Sequence, residues 1–166
     1  MTTLVAVSYT HLDVYKRQIY TSPDLFYIGR GLDYALALEC SLKLKEISYI
    51  HCEAYAAGEL KHGTISLITD GVPVIAITTQ KELYEKMISN IKEVKARGAS
   101  VFMIACKGAE NASQVAEHIL EIPDCDPMLT PLLVAPIFQF IAYYASVLKG
   151  CDVDKPRNLA KSVTVE

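Results

Sequence analysis

The chain has 166 residues, 51% hydrophobic and 21% charged, enough apolar content for one soluble globular domain with a real core and too much for a disordered one. A formal net charge of −3 and a pI near 5.8 supply no general basic field for holding nucleic acid. Five cysteines without a CxxC pair, an odd number, predict reduced thiols in a cytoplasmic protein and neither a zinc ribbon nor a disulfide framework.

The N-terminal stretch 1–18 has no clean helical or strand period, nor the basic and apolar regions of a secretion signal. The first strand-like run is Leu25–Gly29, followed by Gly29-Arg30-Gly31. Tyr34 stands where a dinucleotide-binding GxGxxG would place its third glycine, so this is expected to be a tight strand-to-helix turn. No GxxxxGK[ST] phosphate loop occurs. From Asp33 to about Tyr49 the spacing predicts a helix, apolar on most faces and therefore largely buried.

Glu39, Lys43 and Glu46 recur on that helix at intervals of four and three residues, so they share one face. Two readings stay open for them: a solvated stripe with a weak ion pair, or an acid–base face in a cleft, where desolvation raises a carboxyl pKa. His51, Glu53, Glu59 and His62 follow closely, but the two histidines do not reproduce HExxH spacing, and no metal is expected.

Val72–Thr78, Val101–Cys106 and Ile119–Ile122 are further apolar runs without alternation, the signature of buried parallel strands. Between the first two lies an amphipathic helix with a Leu83, Met87, Ile91, Val94 stripe, a Thr79/Glu82 capping box and Gly98 at its stop. The last helix is predicted to start with Thr130 as N-cap and Pro131 behind it, and to end near Gly150. Met128–Leu148 carries no charge and passes the roughly 20-residue test for a membrane span, which opens an anchored alternative. Pro131, Pro136, Gln139 and the preceding strands favour a core helix. The segment 151–166 is expected to be a loop over the domain, and the alternation of elements gives a three-layer α/β fold.

The runs Lys43–His51 (KLKEISYIH), Glu53–Gly63 (EAYAAGELKHG) and Asp152–Glu166 (DVDKPRNLAKSVTVE) resemble the isomerase region of the glutamine–fructose-6-phosphate aminotransferases. The likeness extends from about Asp24 to the last residue. It implies a sugar isomerase (SIS) fold, a five-stranded parallel sheet flanked by helices, with the domain at 19–150 and a catalytic tail at 151–166. By the same resemblance the apolar last helix packs inside protein, with no membrane and no nucleic acid as partner. The implied reaction converts fructose 6-phosphate and glutamine to glucosamine 6-phosphate without a cofactor, in a homodimer.

Implied site residues are Glu46, moving a proton between sugar carbons 1 and 2; Lys43, its partner; His62, the ring-opening acid–base reaching into a neighbouring subunit; and Lys161, forming a Schiff base. Ala160, with Lys161 and Glu46, is implied in substrate binding. The expected departures are a missing Ser/Thr-rich phosphate loop, missing glutaminase and first isomerase domains, and Thr64-Ile65 where Pro-Leu is usual. Residues 1–18 resemble a translated assembly junction more than this family, and the chain reads as a C-terminal fragment. A non-catalytic sugar-phosphate-binding module of the same fold is the alternative function.

Overall fold

A computed structural model describes residues 19–157. Five parallel strands, β1 (Asp24–Gly29), β2 (His51–Ala56), β3 (Pro73–Thr78), β4 (Ser100–Cys106) and β5 (His118–Ile122), form one sheet in the order β2-β1-β3-β4-β5. The helices that flank the sheet among the described residues include α1 (Leu32–Ser48), α2 (Tyr84–Lys95), the single turn α3 (Ala112–Val115) and α4 (Thr130–Leu148). Short 3-10 segments at Ala57–His62 and Thr64–Leu67 join β2 to β3. This is the three-layer α/β architecture expected from the alternating elements.

The apolar runs of β1, β3 and β4 work because successive side chains point to opposite faces and each face has its own cover, whereas β5, expected to be buried, is an edge strand in which only Ile122 is buried. Leu25, Tyr27, Ile75, Ile77, Phe102 and Ile104 pack with α1 and α4 through Leu36, Leu44, Val134, Phe138 and Ile141. Phe26, Ile28, Val74, Ala76, Val101 and Met103 pack on the other face with Met87, Ile91 and Val94 of α2 and with Leu60 and Ile65. Three residues of the expected α2 stripe are therefore buried, while Leu83 is only partly covered.

Several local expectations need correction. β2 does not stand out as an apolar run, because it is an edge strand: Cys52 and Ala54 are buried while His51 is exposed and Glu53 half-buried. The Thr79/Glu82 capping box does not form. Thr79 is drawn away by Asp33, a 3-10 turn at Lys81–Leu83 intervenes, and α2 starts at Tyr84 with no side-chain cap.

Thr130 is the first residue of α4 and not its N-cap; a preceding 3-10 turn, Pro127–Leu129, is capped by the Asp126 carboxylate accepting from the Met128 N–H. Nor is α1 largely buried. Leu36, Cys40 and Leu44 face the sheet, but Leu38 and Leu42 face outward.

The Gly29-Arg30-Gly31 turn is tight, as expected. A Cβ on Gly29 would stand 2.6 Å from the Asp33 backbone carbonyl, and Gly31 has φ of 57°. Among the described residues one helix, Pro127–Leu148, is long and apolar enough to cross a membrane. Its inner face, Val134, Phe138, Ile141, Ala142 and Ala145, is buried against the sheet and α1, but the helix is not the buried core helix expected, because Leu132, Phe140, Tyr143 and Val147 are exposed.

Candidate functional site

Glu39, Lys43 and Glu46 do share one face of α1. The Lys43 Nζ lies 2.9 Å from Glu46 Oε2, donating to it, and 3.7 Å from Glu39 Oε1. The Glu46 hydrogen bond, with the charge of both carboxylates, raises the Lys43 pKa and keeps its ammonium protonated. The buried position envisaged for a catalytic Glu46 is not found in this chain alone. The side chains are 56%, 42% and 48% exposed for Glu39, Lys43 and Glu46, so water screens the trio and the pairs contribute little to stability.

His62 ends the Ala57–His62 segment with its side chain 76% exposed and its Nε2 3.7 Å from Glu59 Oε2. The other polar residues of this region form a chain of contacts, with His51 Nε2 3.9 Å from Glu53 Oε1. His51 Nδ1 meets Asp24 Oδ1 at 2.7 Å across the β1–β2 edge, and Lys45 donates to Glu53 at 3.2 Å. Neither His51 nor Glu53 is joined to His62 by a contact of this kind.

The chain leaving α4 returns to α1. Val153 lines a groove together with Lys43 and Ile47 from α1 and Pro136, Phe140 and Tyr143 from α4. The Arg157 backbone N–H then donates to the Tyr49 hydroxyl at 2.8 Å, and its guanidinium sits 4.0 Å above the Tyr49 ring, a cation–π contact at the C-terminal end of α1. Ala160 and Lys161 lie outside the described residues.

Residues 18–149 match the SIS domain. The chain belongs to the SIS domain family. The SIS match covers all five strands and α1 through α4. This SIS chain is 55% identical over 162 residues to the glutamine–fructose-6-phosphate aminotransferase [isomerizing] of Clostridium acetobutylicum, covering 98% of the chain and 27% of the relative. It is 61% identical over 147 residues to that of Caldanaerobacter subterraneus, covering 89% and 24%. The chain thus spans about a quarter of the length of the curated relatives it matches. Among solved structures, the C-terminal domain of glucosamine-fructose-6-phosphate aminotransferase from Francisella tularensis superposes with a TM-score of 0.85 at 34% identity, covering 93% of this chain and 43% of that one.

One buried ionisable cluster in the SIS chain has no local sequence signal. The Asp33 carboxylate, at the start of α1, accepts from the Thr79 backbone N–H at 2.7 Å, from the Thr79 hydroxyl, and from the Gln80 N–H at 3.3 Å. The Thr79 hydroxyl is also 3.0 Å from that of Thr130. Burial pushes the Asp33 pKa up; the hydrogen bonds from Thr79 and Gln80 oppose that rise without cancelling it. This network ties together the β1–α1 turn, the end of β3 and the start of α4. Buried Cys52 has its thiol pushed up to about 12, chiefly by desolvation, which leaves it inert as a nucleophile at neutral pH.

Proposed function

We propose that the chain is the C-terminal isomerase segment of a cytoplasmic, homodimeric glutamine–fructose-6-phosphate aminotransferase, with fructose 6-phosphate as sugar substrate and glucosamine 6-phosphate as product. Residues 19–150 form the isomerase domain and 151–166 its catalytic tail; the glutaminase and first isomerase domains belong to the longer parent chain. The observation that carries this reading is the Lys43–Glu46 pair at 2.9 Å on the helix whose end holds Arg157.

The pieces fit a proton-transfer site. Glu46 removes the proton from one of sugar carbons 1 and 2 and returns it to the other, so one carboxylate serves as base and then as acid. Lys43 donates to the Glu46 carboxylate and holds it in place on the helix face. Lys161 is four residues beyond Arg157, so its Cα can lie at most about 13–14 Å from that of Arg157. Tyr49 and Glu46 are separated by about 4.5 Å along the helix axis, at 1.5 Å per residue. That reach supports Lys161 as the amine that condenses with the open-chain ketose, with Ala160 beside it in the sugar site. His62, exposed on its own protomer, suits ring opening in a partner's site, where an imidazole can both give and take a proton. Solvent exposure of Glu46 is then a property of the isolated segment, and covering by the parent enzyme would supply the desolvation.

The test is Glu46→Gln in the full-length enzyme, read by hydrogen exchange at sugar carbons 1 and 2 in deuterated water alongside glutamine hydrolysis. Exchange should fall by about 10²–10⁴ while glutamine hydrolysis persists. Near-normal exchange would mean that Glu46 is not the base.

A further inference from the structure

The order β2-β1-β3-β4-β5 puts the topological switch between β1 and β3, where open parallel sheets usually leave a ligand crevice beyond the strand ends. Here the chain fills that crevice itself. Asp33 occupies the gap by accepting from Thr79 and Gln80, and Arg30 lies against Gly58 with its Nε donating to Asn90 Oδ1 at 3.0 Å. A Cβ on Gly58 would be 2.8 Å from an Arg30 guanidinium nitrogen, so this close approach needs a glycine or a displaced arginine.

Open space appears one strand further on. A cavity of about 430 Å³ lies at the carboxyl ends of β3 and β4, against the first turn of α2. That volume is within the range of about 300–1,000 Å³ usual for small-molecule sites. Its walls carry two ammonium groups, Lys81 and Lys107, two carboxylates, Glu85 and Glu110, and the hydroxyls of Thr78 and Tyr84. None of Glu39, Lys43, Glu46 or His62 lines it.

These walls keep hydrogen-bonding capacity for a ligand. Lys81 donates to Asp124 at 2.7 Å, which uses one of the three donors of an ammonium. Thr78 donates inward to the Ile104 carbonyl at 2.8 Å and Tyr84 to the Glu110 carbonyl at 2.6 Å, leaving both hydroxyl oxygens able to accept. At the rim the Lys107 N–H donates to the Ile122 carbonyl at 2.9 Å, fixing the strand end, and Gly108 turns the chain away at φ 82°. Among the lining residues cations and carboxylates are equal in number, and Asp124 adds a further carboxylate against Lys81. A bare anion would meet Glu85 and Glu110 as well as the lysines, whereas a molecule with both an anionic group and hydrogen-bond donors satisfies both sets.

We propose that this cavity is a second small-molecule site, separate from the α1 face, for an organic phosphate that also carries ammonium or hydroxyl groups. The phosphate meets Lys81 and Lys107, and the donors meet Glu85 and Glu110. Titrating the ¹⁵N-labelled chain with glucosamine 6-phosphate should shift the Glu85, Lys107 and Gly108 amides saturably. Glucosamine and inorganic phosphate, each carrying half of the recognition, should bind there at least tenfold more weakly.

Replacing both exposed lysines, Lys81→Ala with Lys107→Ala, should weaken the shifts at Gly108 at least tenfold with the rest of the spectrum unchanged. No shift at Gly108, shifts there that ignore the lysine substitutions, or equal binding of inorganic phosphate would overturn the proposal. Amides of Lys43 and Glu46 report on the α1 face separately, so the two sites succeed or fail independently.

Discussion

Asp33 is where a single side chain does most to join distant parts of the chain. Its carboxylate is buried yet receives three donors from Thr79 and Gln80, and desolvation still wins, holding its pKa above the ordinary 3.8. A carboxyl whose folded pKa is raised binds its proton more readily folded than unfolded. Its contribution is therefore full below about pH 3.8 and is lost as pH rises through the folded value. Asp33→Asn cannot titrate and offers only one carbonyl oxygen to the same donors. Urea unfolding should show the variant less stable than the parent, with the gap widest in acid and narrowing as pH rises. A gap independent of pH would show that Asp33 does not titrate as its burial requires.

Among the elements, α4 shows how composition alone misleads and packing decides. The helix is apolar nearly throughout, but only one stripe is buried, and Phe138 lies at its centre, 5.4 Å edge-on from Tyr27 of β1. Phe138→Ala should cost about 3–5 kcal/mol in chemical denaturation, the usual loss for deleting a buried aromatic ring. Leu132, 71% exposed on the same helix, should change stability by no more than about 0.5 kcal/mol when truncated to Ala. Comparable losses at both positions would contradict the packing of α4 on α1 and the sheet. The same reasoning applies to β2: an edge strand needs only one covered face, and the polar residues on its other face conceal it from a search for apolar runs.

At the scale of the molecule, outward Leu38 and Leu42 on α1, with Leu132, Phe140, Tyr143 and Val147 on α4, leave more exposed apolar surface than a small free-standing domain needs. The proposed homodimer predicts that light scattering will report a mass near twice that of the 18.3 kDa chain at high protein concentration, falling toward one copy on dilution. A strictly monomeric mass throughout would count against His62 serving a neighbouring protomer in this segment.

The sequence by itself determined what local pattern can carry. Runs such as residues 74–77 and 101–106 are apolar throughout because both of their faces are covered, and the Glu39, Lys43, Glu46 spacing places three charges on one helical face wherever that helix packs. The long runs at Lys43–His51 and Glu53–Gly63 carried the family, through identities that no short motif supplies. Tertiary structure decided whatever depends on a partner far along the chain. Thr79 looks like a helix cap until Asp33, 46 residues earlier, takes its hydroxyl, and Glu46 looks buried until α1 is seen to turn that side to solvent. The cavity beyond β3 and β4 is walled by two stretches far apart in the chain, residues 78–85 and 106–110. Periodicity records which way a side chain points, whereas capping, exposure and cavities are settled by contacts between segments that the chain order keeps apart.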